Sequence, residues 1–438
     1  MSTRKIITAF AVSLLLTGCG YRAPLHKSYI PEVTDSSRFA GVRSDYMELA
    51  ALMSKDTGLD PTGGNTVGFI PEGRQKLDLL LSDLRGARES IYMDIFRFLP
   101  DSSGTMVMDI LTQKAAAGAD VRLILDRGAH FCRHIKALET MRGSGVKLTF
   151  FRKPVFLTDY VTHVASTHRD HRKITVTDGL TCYLGGRNIK DPNFFEWKDA
   201  DIRVTGPLTA QVETVYNENQ ARVARDLQPL EPKPDSVLRV AARMDTVPCL
   251  RQFYDKTIQV VPESPTDRKL PIRNCFEWSM DHARRYFWLY NPYTPPPPSI
   301  LRALKNAAAR GVDVRWILPG HNDVAPEIWM GESLYGELLK AGVHIYEWQG
   351  IMTHAKQFMV DDYLTAVGSA NMDNLSLFMM YEVEALVYDE EFTRHAADVF
   401  LLDIQRSCKE VTLEDVRRWS IFRKLRNWLT RALAGYVS

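Results

Sequence analysis

The feature that most constrains this chain is a histidine–lysine–aspartate pattern that occurs twice at identical spacing. Residues 171–178 read HRKITVTD and residues 354–361 read HAKQFMVD, so both follow H-x-K-x-x-x-x-D. In each stretch polar and apolar residues alternate and β-branched or aromatic residues are frequent, which predicts a strand. Residues two apart in a strand lie on the same face, so the histidine and the lysine should point to the same side. The residues predicted to form the catalytic set on this basis are His171, Lys173, Asp178, His354, Lys356 and Asp361.

The correspondence continues downstream of both motifs. An asparagine follows each histidine by seventeen residues, at Asn188 and Asn371, and an acid follows eleven residues later, at Asp199 and Glu382. A surface histidine that happens to lie near a lysine would not carry a matching register over this distance. We therefore interpret the chain as two copies of one plan that build a single site.

Secondary-structure patterns around the motifs repeat in the same order. Each copy has a helix, a strand, a second helix and a second strand, at 76–88, 90–96, 106–117 and 118–125, and again at 279–285, 286–290, 299–310 and 311–318. This alternation predicts an α/β fold of two tandem lobes. In each lobe we expect a mixed, mostly parallel sheet flanked by helices, with a pseudo-twofold axis between the lobes and the site at their interface.

The sequence divides into six predicted segments. They are a signal peptide (1–18), a polar arm (19–65), a first lobe (66–225), a proline-containing linker (226–248), a second lobe (249–410) and a basic amphipathic tail (411–438). The tail has two interpretations. Its helical spacing of tryptophan, phenylalanine and leucine at 416–431 fits a helix that lies in a membrane surface, or one that packs on the body with a solvated basic face.

The amino terminus has the pattern of an export signal. Two cations precede an apolar run at residues 6–16, which is too short to span a bilayer. The run ends in L-T-G-C and resembles the bacterial lipobox, which implies cleavage before Cys19 and its acylation. An ordinary signal peptide with an incidental cysteine is the alternative. Gly20 follows, and by resemblance to Gram-negative lipoproteins this implies the outer membrane, facing the periplasm.

Composition excludes little. A net charge of +2 does not indicate nucleic acid or an anionic membrane, and 45% apolar with 25% charged residues is typical of a globular protein. The cysteines after Cys19 have no metal-ligand spacing, so we predict no metal site. A disulfide between Cys249 and Cys275 and mostly free, buried thiols are both compatible with the pattern.

These motifs resemble the phospholipase D superfamily, whose hallmark is a duplicated H-x-K-x-x-x-x-D. The chain is most similar to bacterial cardiolipin synthases and their phospholipase D-like lipoprotein relatives. The similarity runs from about residue 68 to residue 408, and finer matches include GGRNI at 185–189 and NPY at 291–293. Two positions depart from the synthase pattern, because Leu375 and Met380 stand where an arginine and an asparagine are usual. The departures bear on head-group or acceptor preference.

The resemblance implies exchange at a phosphodiester through a covalent phosphohistidine, with His171 as nucleophile and His354 as general acid. Lys173 and Lys356 would hold the non-bridging oxygens in place of a metal, so no cofactor is expected. The amides of the two asparagines would donate to the same oxygens. Asp199 and Glu382 would orient the imidazoles. For Asp178 and Asp361, which complete the motifs, we favour a structural role.

The leading functional hypothesis is a phosphatidyltransferase that acts on glycerophospholipids, in the manner of a cardiolipin synthase. Alternatives are a phospholipase D that releases phosphatidic acid, an exported phosphodiesterase or nuclease, and a non-catalytic scaffold. The expected partners are phospholipids and a membrane surface, reached through Cys19 and the tail. Nucleic acid is disfavoured because no stacking platform or wider basic stripe accompanies the tail cations.

Overall fold

The computed structural model describes residues 35–130, 132–151, 168–223, 250–267, 269–322 and 324–435. The predicted signal peptide, Cys19, Cys249 and the linker at 226–248 lie outside the described residues. Within them, no helix is long and apolar enough to cross a membrane. Cys275 is a buried free thiol.

Seventeen strands are found in the described residues. The first lobe contains β1 (Thr62–Ile70), β2 (Ser90–Ile95), β3 (Asp120–Asp126), β4 (Lys147–Phe151), β5 (Lys173–Thr177), β6 (Thr181–Gly185), β7 (Trp197–Lys198) and β8 (Asp201–Thr205). The second contains β9 (Gln252–Glu263), β10 (Tyr286–Tyr290), β11 (Asp313–Pro319), β12 (His344–Trp348), β13 (Met352–Thr353), β14 (Gln357–Val360), β15 (Leu364–Gly368), β16 (Glu382–Tyr388) and β17 (Cys408–Val411).

Thirteen α-helices accompany the strands in the same part of the chain. Helix α1 (Met47–Thr57) precedes the first lobe. The first lobe contains α2 (Gly73–Gly86), α3 (Ser102–Ala116), α4 (Cys132–Glu139), α5 (Asp191–Phe195) and α6 (Leu208–Val223). The others are α7 (Pro271–His282), α8 (Pro298–Ala309), α9 (Ala325–Lys340), α10 (Asn374–Met379), α11 (Glu390–Ser407), α12 (Leu413–Arg418) and α13 (Ile421–Gly435).

Fifteen strands form one continuous sheet, in the order β17-β12-β11-β10-β14-β15-β16-β9-β1-β8-β6-β5-β2-β3-β4. From its centre, the first lobe runs β1-β8-β6-β5-β2-β3-β4 and the second runs β9-β16-β15-β14-β10-β11-β12, so the lobes repeat strand for strand. Strands β1 and β9 join the lobes by antiparallel pairing. The predicted α/β class and tandem lobes are confirmed.

Strand direction divides each lobe into two parts. The outer strands β2, β3 and β4, like β10, β11 and β12, pair in parallel because helices connect them. Nearer the centre, hairpins such as β5–β6 and β14–β15 pair antiparallel. The sheet is mixed, as expected, but its parallel part is confined to the outer strands of each lobe.

Three apolar clusters hold these layers together. One face of the sheet carries a cluster shared by both lobes, in which α6 and α11 cover the central strands. The other face carries a separate cluster in each lobe. Since the shared cluster contains residues of both copies, neither lobe buries its apolar surface alone.

The prediction of a polar arm through residue 65 is wrong for its described part. Helix α1 buries Leu49, Ala50 and Met53 completely and packs against α7 of the second lobe. Strand β1 also begins at Thr62, before the predicted boundary at residue 66. The apolar residues of MELAALM have helical spacing and indicate this helix, but the surrounding sequence is polar and led to the prediction of an arm.

Two further boundaries differ from the prediction. Helix α7 begins eight residues before the helix expected at 279–285, with Pro271 in its first turn, where the missing N–H costs nothing. Strand β17 reaches Val411 and pairs with β12, so the sheet takes in the start of the predicted tail. The remainder of the tail forms α12 and α13.

Candidate active site

The two histidine–lysine pairs lie at equivalent places in the sheet. Lys173 begins β5, and Lys356 directly precedes β14. Both strands occupy the fourth position from the centre of their lobe. The four side chains are buried, and the two histidine residues, His171 and His354, are 6% and 4% exposed. The structure therefore brings both motifs into one enclosed centre.

Each imidazole is held by a carboxylate from the opposite lobe. Nδ1 of His171 lies 2.9 and 3.1 Å from the two carboxylate oxygens of Glu382. Nδ1 of His354 lies 2.8 Å from Oδ2 of Asp199. With Nδ1 bound in this way, Nε2 is the nitrogen on each ring that does not contact a carboxylate.

Backbone hydrogen bonds connect the two lobes at the same places. The amide of His171 donates to the carbonyl of Tyr381 at 2.9 Å, one residue before Glu382. The amide of His354 donates to the carbonyl of Lys198 at 2.7 Å, one residue before Asp199. The short strands β7 and β13 pair in parallel at the second of these contacts. Each histidine and its carboxylate are thus fixed by one inter-lobe connection.

The two carboxylates have different surroundings. Asp199 comes so close to Gly186 that a Cβ there would meet Oδ1 at 2.2 Å. The equivalent residue in the second copy is Ser369, whose hydroxyl donates to Glu382 at 2.5 Å. The Ser376 hydroxyl also donates to Glu382. The first copy therefore has the shorter acid, Asp199, packed against a glycine. The second copy has the longer acid, Glu382, which accepts hydrogen bonds from two hydroxyls.

The two lysines face the imidazoles. Lys356 donates to its neighbouring histidine's carbonyl at 2.6 Å, and its Nζ lies 3.2 Å from Nε2 of His354. Lys173 donates to the carbonyl of His171. Burial lowers the pKa of Lys173 to about 7, against attraction from Glu382. Burial also lowers the pKa of Lys356. Two lysines that face the same pair of imidazoles suit a site for a phosphodiester anion.

Burial also favours the neutral form of both imidazoles. It lowers the pKa of His171, although Glu382 opposes this effect. It lowers the pKa of His354 well below the usual value, and Lys356, Lys173 and Lys190 add to the shift. Both shifts favour the neutral imidazole, and the neighbouring lysines reinforce the shift at His354. The assignment of nucleophile and acid stays a prediction, since a bound anion would raise both values.

The two asparagines make different contacts. The side-chain oxygen of Asn188 accepts the amide of Arg97 at 3.0 Å, which leaves its NH₂ group for other partners. The backbone amide of Asn371 donates to the Ser376 hydroxyl at 2.9 Å. The side-chain oxygen of Asn371 is buried without a hydrogen bond. A donor that approaches this oxygen, such as a hydroxyl of a bound substrate, would satisfy it.

Asp178 and Asp361 lie at the far ends of the motif strands, away from the imidazoles. The carboxylate of Asp178 accepts the amides of residues 88–90 at 2.8–3.1 Å. That of Asp361 accepts the amides of residues 284–286 at 2.8–3.0 Å. Both residues have positive φ, 55° and 51°, which aspartate tolerates in turns. The geometry supports a structural role and places neither at the reacting centre.

Several residues near the centre were not predicted from the sequence. Trp197 and Tyr293 contact the ring of His354, with centroids 5.6 and 6.0 Å away. Phe96 packs edge-on against the ring of His171 at 4.7 Å. Lys190 lies 3.8 Å above the ring of Trp197. Lys190 follows Asn188 by two residues, where the other copy has an aspartate, so aligning the copies could have found it.

No group of three or more histidine, cysteine, aspartate or glutamate residues that could hold a metal ion occurs in the described residues. The charged groups at the centre are lysines and carboxylates. Their residue types match a phosphate anion, which lysine binds as a point charge.

A paired-histidine centre on two copies of one motif strand defines an enzyme of the phospholipase D type. The chain belongs to the family described as cardiolipin synthase, PLD-like domain, whose model matches residues 80–219 and 278–404. One matched segment lies within each lobe. The predicted superfamily, duplicated domain and class of enzyme are confirmed.

Curated relatives cover most of the chain. It is 30% identical to cardiolipin synthase A of Pseudomonas fluorescens over 81% of this chain and 71% of that protein. It is 28% identical to the major cardiolipin synthase ClsA of Bacillus subtilis over 85% of this chain and 76% of that protein. A cardiolipin synthase of Listeria monocytogenes is also 28% identical, over 89% of this chain and 79% of its own.

Two solved structures share the fold. Phosphatidylserine synthase of Haemophilus influenzae superposes with a TM-score of 0.63 at 13% identity, over 89% of this chain and 99% of that one. Polyphosphate kinase of Porphyromonas gingivalis superposes with a TM-score of 0.52 at 13% identity, over 95% of this chain and 58% of that one. At this identity they establish the architecture alone.

Proposed function

We propose that the protein is a phosphatidyltransferase that acts on glycerophospholipids through a phosphohistidine intermediate, as a cardiolipin synthase does. The observation that carries the proposal is the crossed pairing of His171 with Glu382 and of His354 with Asp199. It gives two imidazoles that share one set of lysines and present Nε2. The names of the curated relatives support a lipid substrate.

The reaction would proceed in two balanced steps. Nε2 of His171 attacks phosphorus, the bond to the leaving alcohol breaks, and protonated His354 supplies the proton for its oxygen. An acceptor hydroxyl then returns a proton to His354 and its oxygen attacks phosphorus, which breaks the P–N bond. Lys173 and Lys356 would stabilise the non-bridging oxygens in both steps.

An anionic substrate would also explain how one imidazole can be protonated while the other stays neutral. Its charge offsets the two lysines and favours protonation of one imidazole, which burial otherwise keeps neutral. The remaining neutral ring is then free to act as nucleophile. A bound phosphodiester would thus complete the charge balance of the centre and prepare the acid and the nucleophile together.

We propose that the enzyme works at the periplasmic face of a bacterial envelope membrane, held there by acylated Cys19. The L-T-G-C pattern and the lipid substrates of the named relatives support this location. Labelling with radioactive palmitate tests the anchor. Incorporation into the wild-type chain and its loss in Cys19→Ser are expected, whereas equal labelling of both would contradict acylation at Cys19.

Incubation with phosphatidylglycerol vesicles and analysis of the products tests the activity. A dimeric phospholipid, with release of glycerol, is the expected product. Phosphatidic acid as the sole product would show water as the acceptor and a hydrolase. Cleavage of DNA without any change in lipid would contradict both lipid reactions.

Single substitutions at the histidines test the mechanism. His171→Ala and His354→Ala should each lower turnover at least about 10³-fold, because each removes one of two linked chemical roles. With a substrate whose leaving group needs no protonation, His354→Ala should still accumulate a phosphoenzyme and His171→Ala should not. The reverse result would exchange the two roles, and full activity in either variant would contradict a shared centre.

A further inference from the structure

Helix α13 turns its apolar side chains away from the protein. Five large apolar residues lie at spacings of three and four and form what we term the outer stripe. They are all substantially exposed, namely Ile421 (74%), Phe422 (79%), Leu425 (50%), Trp428 (62%) and Leu429 (45%). A helix that packs on a globular body normally buries such a stripe.

Polar contacts fix this orientation. The carboxylate of Glu332 on α9, which is 6% exposed, accepts two hydrogen bonds from Arg423 at 2.8 and 3.0 Å. It also accepts one from Arg426 at 2.9 Å and one from Asn427 at 2.7 Å. Arg431 pairs with Glu337 at 3.5 Å. Because a partly buried, charge-assisted network centred on Glu332 holds the polar face, rotation of the stripe inward would break that network.

The charge around the outer stripe is positive. Residues 416–438 contain no aspartate or glutamate. Three of their cations bind α9. The other three are Arg417 and Arg418, which end α12, and Lys424 in the first turn of α13, whose ammonium donates to the carbonyl of Arg417 at 2.8 Å. The side chains of Arg417 and Arg418 are exposed, and Arg418 pairs with Glu414 of α12. An apolar stripe beside cations complements an anionic lipid surface.

Helix α9 connects the helix that carries the outer stripe to the catalytic centre. The side chain of Glu327, in the first turn of α9, accepts the amide of Thr294 at 3.1 Å, and the preceding Tyr293 contacts His354. From Glu327 to Glu332, which holds α13, is about 7.5 Å along the helix axis. A further exposed apolar residue, Ile351 (61%), lies three positions before His354.

We propose that the outer stripe inserts into the interfacial layer of an anionic phospholipid bilayer, with Arg417, Arg418 and Lys424 against the head-group phosphates. The inference rests on the proposed function in one respect, since a lipid substrate requires the centre to reach a bilayer. A second copy of the chain is a poorer occupant. A symmetric dimer through this stripe would bring together two copies of α13, a helix with four cations and no acidic residue.

Lipid-dependent quenching of tryptophan fluorescence tests the insertion without any need for catalysis. The full-length protein is mixed with vesicles of phosphatidylcholine and phosphatidylglycerol whose acyl chains carry bromine. We expect quenching in the wild type and a decrease of at least about twofold in Trp428→Phe, which keeps an apolar ring but removes the reporter. Trp316→Phe, at a fully buried position, is the matched control and should leave the quenching unchanged.

A charge in the outer stripe should separate binding from chemistry. Phe422→Glu should lower the rate on vesicle lipid about tenfold or more, since burial of an aromatic ring is replaced by repulsion. The rate on soluble bis(para-nitrophenyl) phosphate reports the catalytic centre and should not change. Met106→Glu, which alters an exposed apolar residue on α3 (41%), should affect neither rate.

Two results would overturn the proposal. One is equal quenching by brominated lipid in the wild type and Trp428→Phe. The other is a wild-type dimer that Phe422→Glu converts to a monomer, without lipid-dependent quenching, which would assign the stripe to a second copy. Failure of the proposed function is distinguishable, because an enzyme without lipid activity could still show the quenching.

Discussion

Lys173 is a buried cation whose charge depends on what occupies the site. Burial lowers its pKa to about 7, and Glu382 only partly opposes this effect. An anionic phosphodiester would favour the charged form again. The residue thus couples substrate binding to the electrostatics of catalysis, as the neutral imidazoles beside it also do.

This coupling predicts the alkaline side of the pH profile. Since the pKa of Lys173 in the free protein is lowered, the cation is present below about pH 7 and is lost as the pH rises through that value. We expect kcat/KM, which reports the free enzyme, to fall over the same range. In Lys173→Arg the charge persists at all these pH values, so the fall of kcat/KM on the alkaline side should shift to higher pH.

Lys173→Met is the matched control for the lost charge. It should be poorly active at every pH and show no limb attributable to this residue. An unchanged alkaline limb in Lys173→Arg would assign the ionisation to another group.

At the scale of elements, short segments do much of the positioning. Strands β7 and β13 have two residues each, yet their pairing places the residues before Asp199 and His354 in register. Helix α1 acts at a distance, because it closes the apolar cluster beneath the second lobe. Helix α1, which precedes the first lobe, is therefore part of the folded unit.

The role of α1 predicts a loss of stability from a small change. Leu49 is completely buried, and Leu49→Ala should lower the free energy of unfolding by about 2–5 kcal/mol through lost burial and a residual cavity. Urea unfolding followed by circular dichroism measures this. Met106→Ala, at an exposed helical position, should stay within about 0.5 kcal/mol of the wild type. Equal stability of both variants would contradict the packing of α1.

At the scale of the molecule, the two lobes share one sheet and one catalytic centre. The β1–β9 pairing continues the sheet across the pseudo-twofold axis, and each histidine takes its carboxylate from the other lobe. The symmetry is broken at single positions, such as Lys190 in one copy and Asp373 in the other. Such differences can give two similar imidazoles unlike roles.

A shared centre within one chain predicts that inactive variants do not rescue each other. Purified His171→Ala and His354→Ala, mixed in equal amounts, should remain as inactive as either alone on the lipid substrate. Both rings must belong to the same molecule to act on one phosphorus atom. Recovered activity, above that of each variant measured separately, would show that lobes exchange between chains.

Local sequence determined the repeated parts of this protein. The motif strands, the equal spacing from His171 to Asn188 and from His354 to Asn371, and the order of helices and strands all follow from short-range patterns. A strand fixes which residues share a face, and a repeat fixes that two sites are alike. These features were enough to identify the family and to list the main residues of the centre.

Tertiary structure alone decided the rest. That Glu382 serves His171 depends on the order of strands across the β1–β9 junction, which no spacing along the chain encodes. The burial of α1 depends on an apolar surface of the second lobe, far away in sequence. The amphipathic pattern of α13 does not say which face is covered, because a carboxylate on α9, Glu332, determines that choice.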